Sequence, residues 1–147
     1  MPARRKEAST RRATKDDAAA IAALAEELGY SSSAREINSR LRKLTDSDLI
    51  LVAVDDDNRL LGFIQGHTLC VIEAGFRVEI LGLVVSSRAR RAGLGKRLVA
   101  EVEDWARTSG AEAVLVRSNT KRVESHLFYP ALGYQTIKTQ SVYKKAL

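Results

Sequence analysis

The sequence reads as an α/β (α+β) domain built on one mostly antiparallel sheet, and three observations carry that reading. Short runs of β-branched and aliphatic residues alternate with segments of helical periodicity in the order β-α-α-β-β-β-α-β-α-β. A helical segment between two of the later strand segments predicts one parallel crossover in an otherwise antiparallel sheet. The 147 residues, 45% of them hydrophobic, suffice for one core and leave no length for a second domain. Six to seven strands and about four helices are expected.

In chain order, residues 1–8 read as a basic, flexible leader to a domain over 9–147, and a short strand is expected over 9–13. Thr14-x-x-Asp17 is a capping box that opens a helix carrying Ile21, Leu24, Ala25 and Leu28 on one face, and Gly29 ends it. Ser33-x-x-Glu36 opens a second helix, with Ile37, Leu41 and Leu44 spaced for one buried stripe. Strands over 49–54 and 60–68 flank the turn Asp55-Asp56-Asp57-Asn58 and form a hairpin. Residues 76–85 make a long central strand in which Gly82 marks a bulge or a close backbone approach. Leu94, Leu98, Val102 and Trp105 repeat at helical spacing up to Gly110. A strand over 113–117, a helix over 121–132 stopped at Gly133, and one or two closing strands over 134–145 complete the chain.

Composition removes several classes of function. The net charge of +6 is concentrated at the start, where Arg4, Arg5, Lys6, Arg11, Arg12 and Lys15 face Glu7 alone, leaving a nearly neutral body. A basic tail without stacking aromatics or a helical reading motif argues against a nucleic-acid-reading domain. Cys70 is the one cysteine and so has no partner for a disulfide within the chain. With His67 and His126 as the only histidines, no four-ligand zinc pattern can be assembled, and no metal is expected. The charged start is followed by no apolar stretch and is not a secretory signal. The longest apolar runs, such as 49–54, fall far short of a bilayer, and the expected location is cytoplasmic.

The most informative segment is Val84-Val85-Ser86-Ser87-Arg88-Ala89-Arg90-Arg91-Ala92-Gly93-Leu94-Gly95-Lys96-Arg97, where a strand passes through a glycine loop into a helix. Free N–H groups of a first helical turn, the helix dipole and glycines without Cβ together suit a phosphate. Arg88, Arg90, Arg91, Lys96 and Arg97 add positive potential. A Walker A loop fails here, because Arg90 stands at its first glycine and Arg97 at its hydroxyl. The dinucleotide fingerprint fails as well, because Leu98 occupies its third glycine. A helix start with a solvated basic face is the plainer alternative.

The pattern Arg/Gln-x-x-Gly-x-Gly/Ala is filled by Arg90-Arg91-Ala92-Gly93-Leu94-Gly95, and at this point the chain resembles the GNAT superfamily of acetyl-CoA-dependent N-acetyltransferases. A second motif, Asn119 followed by Phe128-Tyr129 and Leu132-Gly133-Tyr134, is similar to that family's ending, and the element order matches over nearly the whole chain. The resemblance implies a sheet splayed between strands 4 and 5. It places the pyrophosphate of acetyl-CoA on the loop from Arg90 and Arg91 through Ala92, Gly93, Leu94 and Gly95 to Lys96. It lays the pantetheine arm along the main chain of Leu83, Val84 and Val85, with Asn119 as a hydrogen-bonding partner.

Acetyl transfer needs a neutral amine, yet an alkylammonium with a pKa near ~10.4 is protonated at neutral pH, so a base or a water relay must take a proton. Glu79, eleven residues before Arg90, stands at a spacing that resembles the general-base glutamate of the family's histone-acetylating branch. Its alternative is a solvent-facing or arginine-paired carboxylate. Leu81 and Val114 fill other positions where relatives carry an acid. Tyr129 matches the family's tyrosine that protonates the leaving thiolate, against a role as a plain core aromatic. His126 is either a second base or a structural histidine, whereas His67 and Cys70 give no signal. The expected partner is a small-molecule amine, met by the region of Glu26, Glu27, Tyr30, Arg35, Asp46 and Asp48. A homodimer is implied by resemblance. A catalytically silent acyl-CoA-binding module and a protein lysine or N-terminal acetyltransferase remain alternatives.

Overall fold

Asp55 organises the turn at the centre of the sheet: its Oδ1 accepts from the N–H groups of Asp57 at 2.9 Å and Arg59 at 3.0 Å. In the structure, a computed structural model that describes residues 7–90 and 92–147, this turn joins β2 (Asp48–Val54) to β3 (Leu60–Val71). β1 (Ser9–Arg12) runs antiparallel to β2, and β4 (Gly75–Val85) antiparallel to β3. β5 (Val114–Val116) lies parallel to β4, giving one sheet in the order β1-β2-β3-β4-β5. The described residues fall into two compact units, one ending at Arg117 and one of Ser118–Leu147.

Helices cover both faces of the sheet in the first unit. α1 (Ala18–Glu26) sets Ile21 and Leu24 against Val52, Val54, Leu60 and Val84, and Ile37 of α2 (Ala34–Leu41) packs at the margin of that cluster. On the other face, α3 (Leu94–Ser109) buries Leu94, Leu98, Val99, Val102 and Ala106, and each fully buried aliphatic contributes about 1.5–3 kcal/mol. The close approach of α3 depends on Gly66, where a Cβ would stand 3.2 Å from Val102 and 3.3 Å from Trp105. Gly29 takes φ +85 just beyond α1, a conformation costly for a residue with a Cβ. Among the described residues no helix is long and apolar enough to cross a membrane.

Both capping boxes form. Ser33 Oγ accepts from the Glu36 N–H at 3.1 Å, and Glu36 Oε1 accepts in return from the Ser33 N–H at 3.4 Å. Asp17 accepts from the Thr14 N–H at 2.7 Å, although a 3-10 turn over Lys15–Asp17 precedes α1. Buried Asp17 also takes two hydrogen bonds of 2.8 Å from Arg11. Those Arg11 bonds hold its carboxyl below the ordinary aspartate range; burial opposes them, and the Thr14 N–H adds to the lowering. A depressed native pKa gives stability that is present above the unfolded value near ~3.9 and lost as pH falls through the native one. The melting temperature of Asp17→Asn is therefore expected to lie below wild type at pH 6, with the gap closing below about pH 4. An unchanged gap in melting curves at acid pH would assign the loss to packing instead.

Three expectations need correction. The closing strands expected over 134–145 do not form: this stretch joins no ladder among the described residues, and Ile137, Val142 and Tyr143 are exposed. The sheet therefore has five strands rather than six to seven. Alternation of side chains is a local property, whereas a strand also needs a neighbouring edge to take its hydrogen bonds. The bulge in β4 falls at Leu81 rather than Gly82, since Gln65 pairs with Gly82 and Gly66 with Ile80. The helix expected over 121–132 is α4 (Val123–Ala131).

Candidate active site

β4 carries both halves of the candidate site. Its parallel ladder with β5 comprises only the pairs Val78 with Val114, Glu79 with Leu115 and Ile80 with Val116. Beyond Ile80 the β5-side edge of β4 has no ladder partner among the described residues, so the main chain of Leu83, Val84 and Val85 borders an opening in the sheet. The bulge at Leu81 stands where this opening begins, and Leu81 itself is half exposed. Val84 anchors the strand by placing its side chain in the α1 cluster, leaving only its backbone for binding.

The strand then enters the glycine loop. Ser86 is buried and its N–H donates to the Leu61 carbonyl at 2.7 Å. A 3-10 turn over Ser87–Ala89 follows, tied to the end of α1 by the Ser87 N–H donating to Glu27 Oε2 at 3.2 Å. Arg90 is extended, and Arg91 lies outside the described residues. Gly93 adopts φ +76 as the N-cap of α3, with open space where a Cβ would stand. Leu94 is buried and pins the helix start, while Ala92, Gly93 and Lys96 are exposed. The first-turn N–H groups of α3 have no intrahelical acceptor, and Arg88, Arg90 and Lys96 surround them in sequence. Such a helix start is suited to an anion such as a phosphate group. A cleft of about 540 Å³ adjoins the loop between α1 and the β2–β3 turn, lined in part by Arg11, Arg59, Arg88 and Glu27.

Glu79 lies within the β4–β5 ladder, two residues before the bulge at Leu81, and is 8% exposed. Its Oε1 accepts from Arg77 Nη2 at 3.1 Å and from Arg117 Nη2 at 3.2 Å, so the arginine-paired alternative is part of its environment. Across the β3–β4 ladder its direct partner is His67, and across β2–β3 the partner of His67 is Asp48. Asp48, His67 and Glu79 thus share one row and one sheet face. His67 Nδ1 lies 2.8 Å from Asp48 Oδ1. Motif reading missed this pair, because nothing in the local sequence of either residue marks it. Counting outward from the Val54–Leu60 pair would have set Asp48 against Gly66, because the ladder shifts by one residue between Ala53 and Val54.

The second unit holds the remaining candidates. Tyr129 packs edge-on against Phe128 at 4.9 Å and against Tyr134 at 5.7 Å. Burial pushes its phenol above the ordinary tyrosine range, against the opposing charge of Arg122, so at neutral pH it holds its proton. Asn119 Oδ1 accepts from the Lys121 N–H at 3.0 Å, which shapes the entry to α4. His126 is exposed, and its Nε2 lies 2.8 Å from the Thr120 carbonyl oxygen.

The short β4–β5 ladder and the cationic glycine turn at the start of α3 both fall within a stretch that matches a known family of proteins. The chain belongs to the acetyltransferase (GNAT) family, whose sequence model matches residues 17–134. It is 30% identical over 66 residues to aminoglycoside N(6')-acetyltransferase type 1 of Serratia marcescens, a stretch covering 45% of each chain. A probable N-acetyltransferase of Arabidopsis thaliana is 38% identical over 64 residues, 43% of this chain and 16% of its own length. The matched stretch thus spans less than half of these curated relatives. Among solved structures, an aminoglycoside 6'-N-acetyltransferase from Acinetobacter baumannii superposes with a TM-score of 0.83 at 19% identity, covering 96% of this chain and 99% of that one. Glucosamine-6-phosphate N-acetyltransferase from Arabidopsis thaliana gives 0.83 at 20%, with 95% and 99% covered. An aminoglycoside N-acetyltransferase in complex with CoA gives 0.87 at 18%, with both chains fully covered. At these identities the structural likeness speaks to the fold.

Proposed function

We propose that the protein transfers the acetyl group of acetyl-CoA to a primary amine of a small molecule by direct attack of the amine on the thioester. The observation that carries this reading is the unpaired edge of β4 leading, past a bulge, into the left-handed Gly93 turn at the start of α3. Acetyl-CoA supplies an activated acetyl group. The amides from Ala92 to Lys96 receive its pyrophosphate, as anions bind at helix N-termini. The main chain of Leu83, Val84 and Val85 holds its arm in the manner of an added strand, and Asn119 is a further partner of that arm.

Glu79 takes the proton of the acceptor ammonium, a role consistent with its place beside the opening. Tyr129 protonates the departing thiolate: a thiol of pKa near ~8.5 leaves as an anion, and a phenol kept protonated at neutral pH can supply the proton. Its hydroxyl has no hydrogen bond among the described residues, as suits a group that must turn to a ligand. The named substrates of the relatives support a small amine as acceptor.

Calorimetric titration of the wild-type chain with acetyl-CoA and with CoA tests the reading. Micromolar binding of both, followed by CoA release in a screen of aminoglycosides, amino sugars and polyamines, is the expected result. Binding without turnover of any amine would favour a silent acyl-CoA-binding module. Absence of binding would remove the transferase reading altogether.

A further inference from the structure

His67 gave no signal as a sequence residue, yet the sheet places it between a buried acid and a second acid that orients its ring. Its side chain is 36% exposed, while that of Asp48 is 11% exposed. Directly opposed residues in an antiparallel pair have Cβ atoms about 4.5–5.5 Å apart, which puts the His67 ring beside the Glu79 side chain. Asp48 is acceptor-only when ionised, so its 2.8 Å contact requires the imidazole proton on Nδ1. Nε2 is then the basic nitrogen, and it has no partner among the described residues. The charged groups around this ring are Asp48 from β2, Glu79 and Arg77 from β4, and Arg117 just after β5.

Glu79 lacks the exposure that a base needs to exchange protons with water. It is buried, and one of its two carboxylate oxygens is held by two guanidinium groups. His67 is the exposed titratable neighbour on the same face. We propose that the Asp48–His67 pair is a proton relay that links Glu79 to solvent in each catalytic cycle. The inference rests on Glu79 being the proton acceptor for the substrate amine. The proton leaves the ammonium nitrogen for Glu79, and the resulting carboxylic acid O–H passes it to His67 Nε2. The imidazolium, its Nδ1–H held by Asp48, releases the Nε2 proton to water, and all three groups return to their starting charge. His67 is a relay and Asp48 its positioning residue; neither needs to touch the acceptor.

Two measurements test this. In the free protein, ¹⁵N NMR of the histidine rings at about pH 9, above the ordinary histidine range, is expected to show neutral His67 with its proton on Nδ1. Asp48→Asn should lose that preference, and His126→Gln assigns the signal. In the working enzyme, His67→Gln is expected to lower kcat about 10- to 100-fold, less than a direct base would, with KM nearly unchanged. Added imidazole should restore part of the rate of His67→Ala and none of that of Glu79→Gln.

A proton found on Nε2 overturns the relay. So does wild-type kcat in His67→Gln, or a loss that imidazole leaves untouched. If Glu79→Gln is impaired and His67→Gln is not, the relay fails while the reading of Glu79 stands. If Glu79→Gln turns over normally, both fall.

Discussion

Glu79→Gln is expected to lower kcat for amine acetylation about 100- to 10,000-fold while leaving CoA affinity within about twofold of wild type, the range removed with a general base. The substitution keeps the shape of the side chain and its ability to accept from Arg77 and Arg117, and removes the proton-accepting charge. Because Glu79 is buried between two guanidiniums, a modest loss of stability is also expected, since a buried cation then faces a neutral partner. Thermal melting separates that loss from the catalytic one. Tyr129→Phe should show a smaller fall in kcat, again with CoA binding kept. Normal turnover by Glu79→Gln at saturating substrate would move the base elsewhere and reopen the alternatives.

Gly93→Asp is expected to weaken CoA binding at least about 100-fold, through the repulsion of a carboxylate placed within a few ångströms of a doubly charged pyrophosphate. Each unit-charge pair at 4 Å is worth about 1–4 kcal/mol between bulk water and a protein surface. The protein itself has room for the change, because a Cβ at Gly93 meets nothing within 4 Å. Gly93→Asn is the matched control: it is nearly the same size, tolerates the left-handed conformation and carries no charge. A loss confined to the aspartate variant, and reduced by added salt, identifies an anion at the turn. Equal losses in both variants would point to backbone strain at φ +76 instead.

The starts of the first two helices and the glycine turn ahead of α3 were legible in the sequence because they depend on neighbours a few residues apart. Thr14 with Asp17 and Ser33 with Glu36 cap their own helices, and the stripe from Leu94 to Val102 is a local periodicity. The hairpin about Asp55 was legible for the same reason, through turn chemistry. Gly93, the β4 strand ahead of it and Glu79 on that strand were all named from sequence spacing and resemblance.

Tertiary structure decided what depends on register. Asp48 faces His67 nineteen positions away, and Arg117 reaches Glu79 from thirty-eight. A one-residue slip in either ladder would turn those side chains to the opposite face, so neither contact is written in the residues that make it. The two guanidiniums on Glu79 show both cases: Arg77 is its neighbour two residues back on the same strand face, whereas Arg117 is brought to it only by the short parallel ladder of β5. The closing segment shows the other side of the same rule. Ile137, Val142 and Tyr143 sit in an apolar pattern suited to a strand, yet no backbone edge pairs with them among the described residues. Composition and periodicity determine which segments can extend or coil. Pairing between distant edges, which carries the hydrogen bonds of a sheet, determines which of them become strands and which polar side chains meet.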